Sequence, residues 1–343
     1  MAVEGALLQR YGAATRAEVS RYLAAGGPSP FLDEMLADYP ARGGKMLRPA
    51  ICLANAALFA AQPGSAPSAE AVRAAAAIEM LHNALLIHDD VQDGSELRRG
   101  KPTLHALHGV PLAINAGDAL LFAAFHPLID AVSPLGGDVI RQVMEVTATM
   151  ARQTAEGQAL ELGWRDRNVT GLSEADYMRM ALKKTAWMGM IWPAQLGLII
   201  GSRGRLDPEM VLRFGYFLGL AFQIEDDLRN LSEDPGYGKE QNGDLAEGKR
   251  TLMLIHVRAA CDAAERARLD AFLGLRREER CAEDVAWLAA LMQARGSIDH
   301  ARGVAAAMAG AAEHEFAAVY GALPPSEERA FLGSLVRWVF DRV

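Results

Sequence analysis

Two stretches constrain this chain more than any others. His88-Asp89-Asp90-Val91-Gln92-Asp93-Gly94-Ser95-Glu96-Leu97-Arg98-Arg99-Gly100 follows directly on the apolar run Ala84-Leu85-Leu86-Ile87. Far down the chain, Phe222-Gln223-Ile224-Glu225-Asp226-Asp227-Leu228-Arg229-Asn230 repeats the design. On a helix, Asp89 and Asp93 stand one turn apart on one face, where like charges repel and weaken the helix unless a cation lies between them. Hard divalent ions, magnesium above all, take carboxylate oxygens and leave coordination positions for phosphate. Arg98 and Arg99 suit bidentate contact with phosphate oxygens. Either cluster alone reads equally as a solvated helix end. Together they are far more specific: two such helices facing one another could hold a diphosphate between them through several metal ions.

Few β-branched residues accompany the many alanines, and no stretch sustains a period-two alternation, so the expected class is all-α. Pro, Gly and capping residues divide the chain into about a dozen helices within one domain, 1–343. Helices are expected over 1–24, 30–39, from Pro49 to Ala61, from Ser68 to Asp93, from Pro111 to Val132, and from Asp138 to Leu162. Another runs from Ser173 to Gly201 with a bend at Pro193, and one from Asp207 carries the second acid cluster. Ser232 to Lys249 reads as a long polar loop, and long loops in ordered domains are often functional.

The net charge of −8 and pI near 5.6 argue against nucleic acid as a partner. They do not exclude an anionic substrate, because bound metal ions invert the local field. Cys52, Cys261 and Cys281 show no paired spacing, which fits a reducing cytoplasm. No signal peptide is evident, and the run Met188–Ile200 is too short to span a membrane.

Further candidates lie outside the two clusters. Gly43-Gly44-Lys45-Met46-Leu47-Arg48-Pro49 sets backbone N–H groups and two cations before a helix start, which suits an anion as well as an ordinary turn. His82 lies two turns before Asp89 on the same face. His105 and His108 lack a third metal ligand, so their structural reading is preferred. Lys183-Lys184-Thr185 sits inside an apolar helix, where an unpaired lysine is costly and a nearby anion is expected. Gln158 and Glu161 share a helix face and read by default as a solvated pair. Lys239, Lys249 and Arg250 flank Asp244 in the polar loop, as if to close over phosphate.

These residues, in this order, resemble the trans-polyprenyl diphosphate synthase family over nearly the whole chain. Gly43-Gly44-Lys45 to Pro49 matches a family motif, with Met46 where arginine is common. Asp89 to Asp93 and Arg98-Arg99-Gly100 match the first aspartate-rich motif and its arginine pair. Gly157-Gln158, Lys184-Thr185, Gln223 to Asn230 and Gly238-Lys239 to Thr251 fall in family order. Glu79-Met80-Leu81-His82-Asn83-Ala84, Gly109-Val110-Pro111, Trp164-Arg165-Asp166 and Asn230 are similar to the geranylgeranyl diphosphate synthase branch. Two departures stand out: Asn230 replaces a third aspartate, and Glu161 stands where aspartate is usual.

The resemblance implies an antiparallel helical bundle of the isoprenoid synthase type around a central substrate cavity. It implies a magnesium-dependent prenyltransferase of isoprenoid and terpenoid biosynthesis, a homodimer, that condenses isopentenyl diphosphate with a dimethylallyl, geranyl or farnesyl diphosphate. Three magnesium ions per site would be held by Asp89, Asp90, Asp93, Asp226 and Asp227. Arg98, Lys184 and Lys249 would touch the allylic diphosphate, with Lys239 closing over it. Lys45, Arg48, His82 and Arg99 would hold isopentenyl diphosphate, while Lys184, Thr185 and Gln223 steady an allylic cation. Leu81, Ala84, Leu85, Phe122 and Phe125 would set chain length. The small Ala84 implies a geranylgeranyl product. Farnesyl or longer products, a class I terpene cyclase and a non-catalytic synthase subunit are the alternative readings.

Overall fold

Helices dominate because alanine-rich apolar segments alternate with good caps and breakers. In the computed structural model, which describes residues 2–24, 29, 31–61, 66–231 and 242–340, the helices follow in this order. The N-terminal part comprises α1 (Ala2–Leu23), α2 (Asp33–Ala41), α3 (Leu47–Leu58) and α4 (Ala69–Asp93). A small hairpin, β1 (Leu97–Arg98) and β2 (Lys101–Pro102), follows. Next come α5 (Leu104–His108), α6 (Val110–Ala123), α7 (Phe125–Val132), α8 (Gly137–Asp166) and α9 (Glu174–Ala181). A π-helical stretch, Leu182–Ile191, joins α9 to α10 (Trp192–Ser202). The remainder is α11 (Leu212–Asn230), α12 (Gly243–Glu247), α13 (Leu252–Ala260), α14 (Ala263–Gly274), α15 (Ala282–Ala294), α16 (Ser297–Tyr320) and α17 (Glu327–Trp338).

The centre is built by α11 against α16 and the π stretch, the π stretch against α8, α10 against α3, and α4 against α6 and α7. Trp192 is fully buried there, and its indole N–H donates to Thr147 Oγ1 at 3.0 Å, so the ring is buried without an orphaned donor. A second cluster joins α11 to α13–α16 through Leu220, Ile224, Leu252 and Phe272. A third joins α2, α4 and α6 through Tyr39, Met80, Ala84, Ala116 and Leu120. Each fully buried Leu or Ile in these clusters contributes about 1.5–3 kcal/mol.

Four details differ from the sequence expectation. The apolar stretch from Pro111 to Val132 is broken at Ala124 into α6 and α7. Helix α8 runs on to Asp166, one turn past Leu162. The stretch after Ser173 is not one α-helix but passes through the π segment, and Pro193 falls just after it, where its missing N–H coincides with the return from π to α register. The hairpin was not expected: Arg99 (φ 53°) and Gly100 (φ 74°) both take left-handed conformations, as a tight type I′ turn demands.

Candidate active site

The first acid cluster owes its position to the end of α4. Ser68 caps the helix start, accepting from Ala71 N–H, and Gly94 in the left-handed conformation ends it, with Ser95 N–H reaching back to the Asp90 carbonyl at 3.0 Å. Asp89, Asp90 and Asp93 are thereby held in the last turn, where the helix dipole disfavours negative charge. The second cluster likewise ends α11. Aspartates at two C-termini weaken their helices, and cations drawn from elsewhere offset this.

Asp89 borders a cavity of about 550 Å³. Gln158 donates to it at 3.1 Å, Lys184 lies 3.5 Å away and Arg98 3.7 Å away. Asp93 pairs with Arg165 at 2.9 Å and Lys249 at 3.3 Å, and Arg277 donates to its backbone carbonyl at 2.7 Å. Lys249 also meets Asp244 (3.1 Å) and Glu247 (2.9 Å). Burial works against charge on both Lys184 and Lys249. The surrounding acids, Glu161 and Asp89 for the first, Asp244 and Asp93 for the second, more than offset it and raise both amines above the ordinary lysine range.

Asp90 and Asp227, two of the five expected metal ligands, are placed otherwise. Asp90 is 1% exposed and accepts from Tyr39 Oη at 2.5 Å and from the Arg98 guanidinium, whose Nε lies at 2.9 Å. Asp227 is buried too, accepting from Tyr177 Oη at 2.8 Å and Gln223 Nε2 at 2.6 Å. Adjacent helical residues project ~100° apart, so one member of each pair turns into the protein. Those carboxylates are spent on protein donors and serve as anchors. Burial, with Asp244 nearby, pushes Asp227 well above the usual carboxylate range.

The π stretch joins the two clusters. Lys184 reaches Asp89 and Glu161, while the next residue, Thr185, donates to Gln223 on α11. Close approach of α8 permits this: a Cβ on Gly157 would stand 2.2 Å from the Lys184 nitrogen. π-helical turns recur at functional sites because they re-aim side chains that an α-helix would leave elsewhere. Gln158 and Glu161 are therefore not the solvated pair expected by default.

On the other side of Asp89, Arg48 and His82 also border the cavity. The Arg48 guanidinium is buried, and its Nε has no hydrogen-bond partner among the described residues. Asp226, half-buried on α11, and Glu79 bear on it electrostatically. Burial beside Arg48, Arg99 and Arg98 pushes His82 well below its ordinary value, which keeps it neutral. Arg99 donates to the Gly43 carbonyl, and Lys45 lies 5.1 Å from the centre of the Trp338 ring. Lys239 lies outside the described residues.

Below Asp89 the cavity wall is apolar, with Leu81, Leu85, Leu121, Phe125, Met150 and Met188 among its lining. Two expected chain-length residues are placed elsewhere. Phe122 is 68% exposed on the outer side of α6, one ~100° step from Leu121, which lines the cavity, while Phe125 opens α7 and lines it too. Ala84 is buried in the α2–α4–α6 cluster and not on the cavity wall. Asn230 is buried, and its Oδ1 accepts from Asp244 N–H at 3.0 Å.

Arg277, Tyr39 and Tyr177 were not singled out from sequence, and Arg165 was named only within Trp164-Arg165-Asp166, with no role assigned. Arg165 was within reach: Gln158, Glu161 and Arg165 follow at i, i+3 and i+7 on α8. Arg277, Tyr39 and Tyr177 arrive from distant segments and carry no local signal.

Among the described residues no three acids stand close enough to hold an ion by themselves. Asp89 and Asp226 offer hard oxygens that fall short of a full shell, and Asp93, buried and paired with Arg165 and Lys249, would join them by giving up one of those cations. That donor set fits magnesium whose remaining positions are filled by phosphate oxygens.

A helical bundle with two aspartate-ended helices, flanking cations and an apolar cavity defines a class of enzymes working on apolar diphosphates. The polyprenyl synthetase family model matches residues 29–292, and the chain belongs to that family and is a prenyltransferase. It is 35% identical to the short chain isoprenyl diphosphate synthase of Methanothermobacter thermautotrophicus over 266 residues, 77% of each chain. It is 30% identical to the geranylfarnesyl diphosphate synthase of Natronomonas pharaonis over 312 residues, 88% of this chain and 86% of that one. The crystal structure of geranylgeranyl pyrophosphate synthetase from Pyrococcus horikoshii superposes with a TM-score of 0.83 at 30% identity, covering 98% of both chains.

Proposed function

We propose that this trans-prenyl diphosphate synthase adds isopentenyl diphosphate to an allylic diphosphate and releases chiefly the twenty-carbon geranylgeranyl diphosphate. The observation that carries this reading is the junction at Lys184-Thr185. One residue reaches the first acid cluster and the next reaches the second, directly above an apolar cavity.

In this reading Asp89, Asp93 and Asp226 hold the allylic diphosphate through magnesium, three ions per site, while Arg98, Lys184 and Lys249 contact its oxygens. Bound magnesium neutralises charge on the departing diphosphate. Lys184 and Lys249, kept cationic by their acid neighbours, add to that neutralisation as the carbon–oxygen bond breaks. Thr185 and Gln223 present oxygens toward the allylic cation. Isopentenyl diphosphate sits against Lys45, Arg48, His82 and Arg99, and attacks through its double bond. The Arg48 Nε has no hydrogen-bond partner among the described residues, which leaves this buried guanidinium with unused donor capacity beside the phosphate. Loss of a proton completes a trans product longer by five carbons.

The growing tail descends along Leu85 and Leu81 on α4 and toward Thr147 on α8. That is ~12 Å from Asp89 to Leu81 along one helix and ~16 Å from Gln158 to Thr147 along the other. Phe125 and Met150 are among the large side chains that line the cavity. The stretch Val110–Leu135 is long and apolar enough to cross a membrane by length and composition. Exposed Leu112, Ile114, Phe122 and Ile129 lie along it, and we assign this face to contact with a second copy in a homodimer. Three free cysteines are consistent with action in the cytoplasm.

Incubating the purified chain with magnesium, isopentenyl diphosphate and each allylic primer, then chromatographing the dephosphorylated products, tests the reading. The expected result is a mainly twenty-carbon alcohol. A cyclic hydrocarbon, or no elongation from any primer, would overturn it.

A further inference from the structure

The hairpin that carries both diphosphate arginines is only two residues per strand and takes two left-handed residues at its turn, so it cannot hold its own shape. Arg42, at the end of α2, holds it. Its side chain is 1% exposed, with Nε on the Asp38 carboxylate at 2.6 Å. The rest of the guanidinium forks onto three hairpin carbonyls: Pro102 at 2.7 Å, Arg98 at 3.2 Å and, at the edge of hydrogen-bond range, Lys101 at 3.4 Å. The same guanidinium lies over the Tyr39 ring, 4.5 Å from its centre. Tyr39 in turn donates to Asp90, and Asp90 grips the Arg98 side chain. The hairpin answers from its own side, because Arg99 at the turn donates to the Gly43 carbonyl, two residues before Lys45.

We propose that Arg42, with Tyr39, is a positioning residue for both diphosphate sites. Arg42 fixes the backbone of the hairpin and so sets Arg98 and Arg99 together. Tyr39 acts through Asp90 on the Arg98 side chain alone. The last turn of α2, the glycine segment and the hairpin thus form one rigid unit spanning the two substrates. Neither Arg42 nor Tyr39 touches a reacting atom. A lysine at position 42 keeps the charge for Asp38 but has no planar fork for three carbonyls. A phenylalanine at position 39 keeps the ring and loses only the hydroxyl.

This inference rests on the assignment of Arg98 to the allylic diphosphate and Arg99 to isopentenyl diphosphate. The test measures kcat and both KM values for Arg42→Lys, Tyr39→Phe, Arg98→Ala, Arg99→Ala and the double variant Tyr39→Phe/Arg98→Ala, with thermal melting as the folding control. Arg42→Lys is expected to raise both KM values about tenfold or more with little change in kcat. Tyr39→Phe is expected to raise only the allylic KM, and to add nothing once Arg98 is alanine, since coupled residues are not additive. If Arg42→Lys moves neither KM while the two alanine variants move theirs, the clamp is wrong. If the alanine variants also leave KM unmoved, the two-site assignment falls and the clamp with it. An additive effect of Tyr39→Phe on Arg98→Ala would remove Tyr39 from the unit.

Discussion

The two acid clusters share an Asp-Asp pair at a helix end and differ in how they are anchored. Each pairs an outer aspartate with a buried one that takes a tyrosine hydroxyl, Tyr39 for Asp90 and Tyr177 for Asp227. There the likeness ends. Asp90 is charge-paired, locked to the Arg98 guanidinium. Asp227 is held by the neutral donors Tyr177 and Gln223, and burial beside Asp244 raises its affinity for a proton. The first cluster is a rigid ion-paired mount for Arg98, the arginine we assign to the allylic diphosphate. The second is a neutral mount that orients Gln223 toward Thr185. A repeated motif can therefore repeat its ligand while using its neighbour for different work.

The largest expected effect treats the outer aspartates as equivalent. Asp89→Ala and Asp226→Ala should each lower kcat by roughly a thousandfold or more, with melting temperature little changed. Excess chelator should abolish turnover in the parent chain. Persistent activity in chelator would break the metal reading, and a strong effect from only one aspartate would break the equivalence.

Stability should separate the buried pair. Asp90→Asn leaves the buried Arg98 charge with only the more distant Asp89, 3.7 Å away, and is expected to cost ~3 kcal/mol in chemical denaturation. Asp227→Asn retains polar groups beside two neutral donors and is expected to cost about 1 kcal/mol. Equal losses would mean that the two mounts work alike after all.

Product length probes the wall beneath the first cluster. Phe125→Ala should lengthen the product, and Leu85→Phe should shorten it, since both side chains line the cavity. Phe122→Ala should leave the product unchanged because that ring is outside. Ala84→Phe overpacks a closed cluster and should show first as a loss of ~1–3 kcal/mol of stability. Chromatography of the products, with melting curves alongside, distinguishes these outcomes.

Much of the site was legible from spacing. Asp89 and Asp93 on one face, the acid ends of two apolar helices, and the need of Lys184 for an anion all follow from helix geometry and the cost of burying charge. The protein itself supplies that anion, Glu161 together with Asp89. The inward turn of Asp90 and Asp227 was implicit in the ~100° step between neighbours, but their tyrosine partners are long-range and leave no local trace. Phe122 and Phe125 share a face only on an unbroken helix, and the signal for the break is Pro127, which denies the Ala123 carbonyl its partner four residues on. The π stretch was hidden because its apolar periodicity is close to that of an α-helix, and its register is set by the approach of Gly157 from another segment.

The smallest expected effect on turnover concerns Asn230, where the second cluster departs from its aspartate-rich pattern. Its Oδ1 accepts the Asp244 N–H, and its own carbonyl accepts from Asn242 N–H at 2.8 Å. These bonds fix the start of α12, whose Asp244 and Glu247 reach Lys249. The residue thus acts as a splice between α11 and the lysine-bearing segment. Aspartate at this position would keep the acceptor but add charge beside Asp227 and Asp244, where acid already outweighs cation. Asn230→Asp is therefore expected to leave kcat within a few-fold and to lower stability by about 1–3 kcal/mol, since the added carboxylate is buried beside two acids. Asn230→Ala removes the acceptor and should cost about 1–3 kcal/mol, with a rise in the allylic KM as Lys249 loses its fixed position. Paired denaturation and kinetic measurements check both. A loss of activity in Asn230→Ala with unchanged stability and KM would assign Asn230 to the metal shell instead of to the splice.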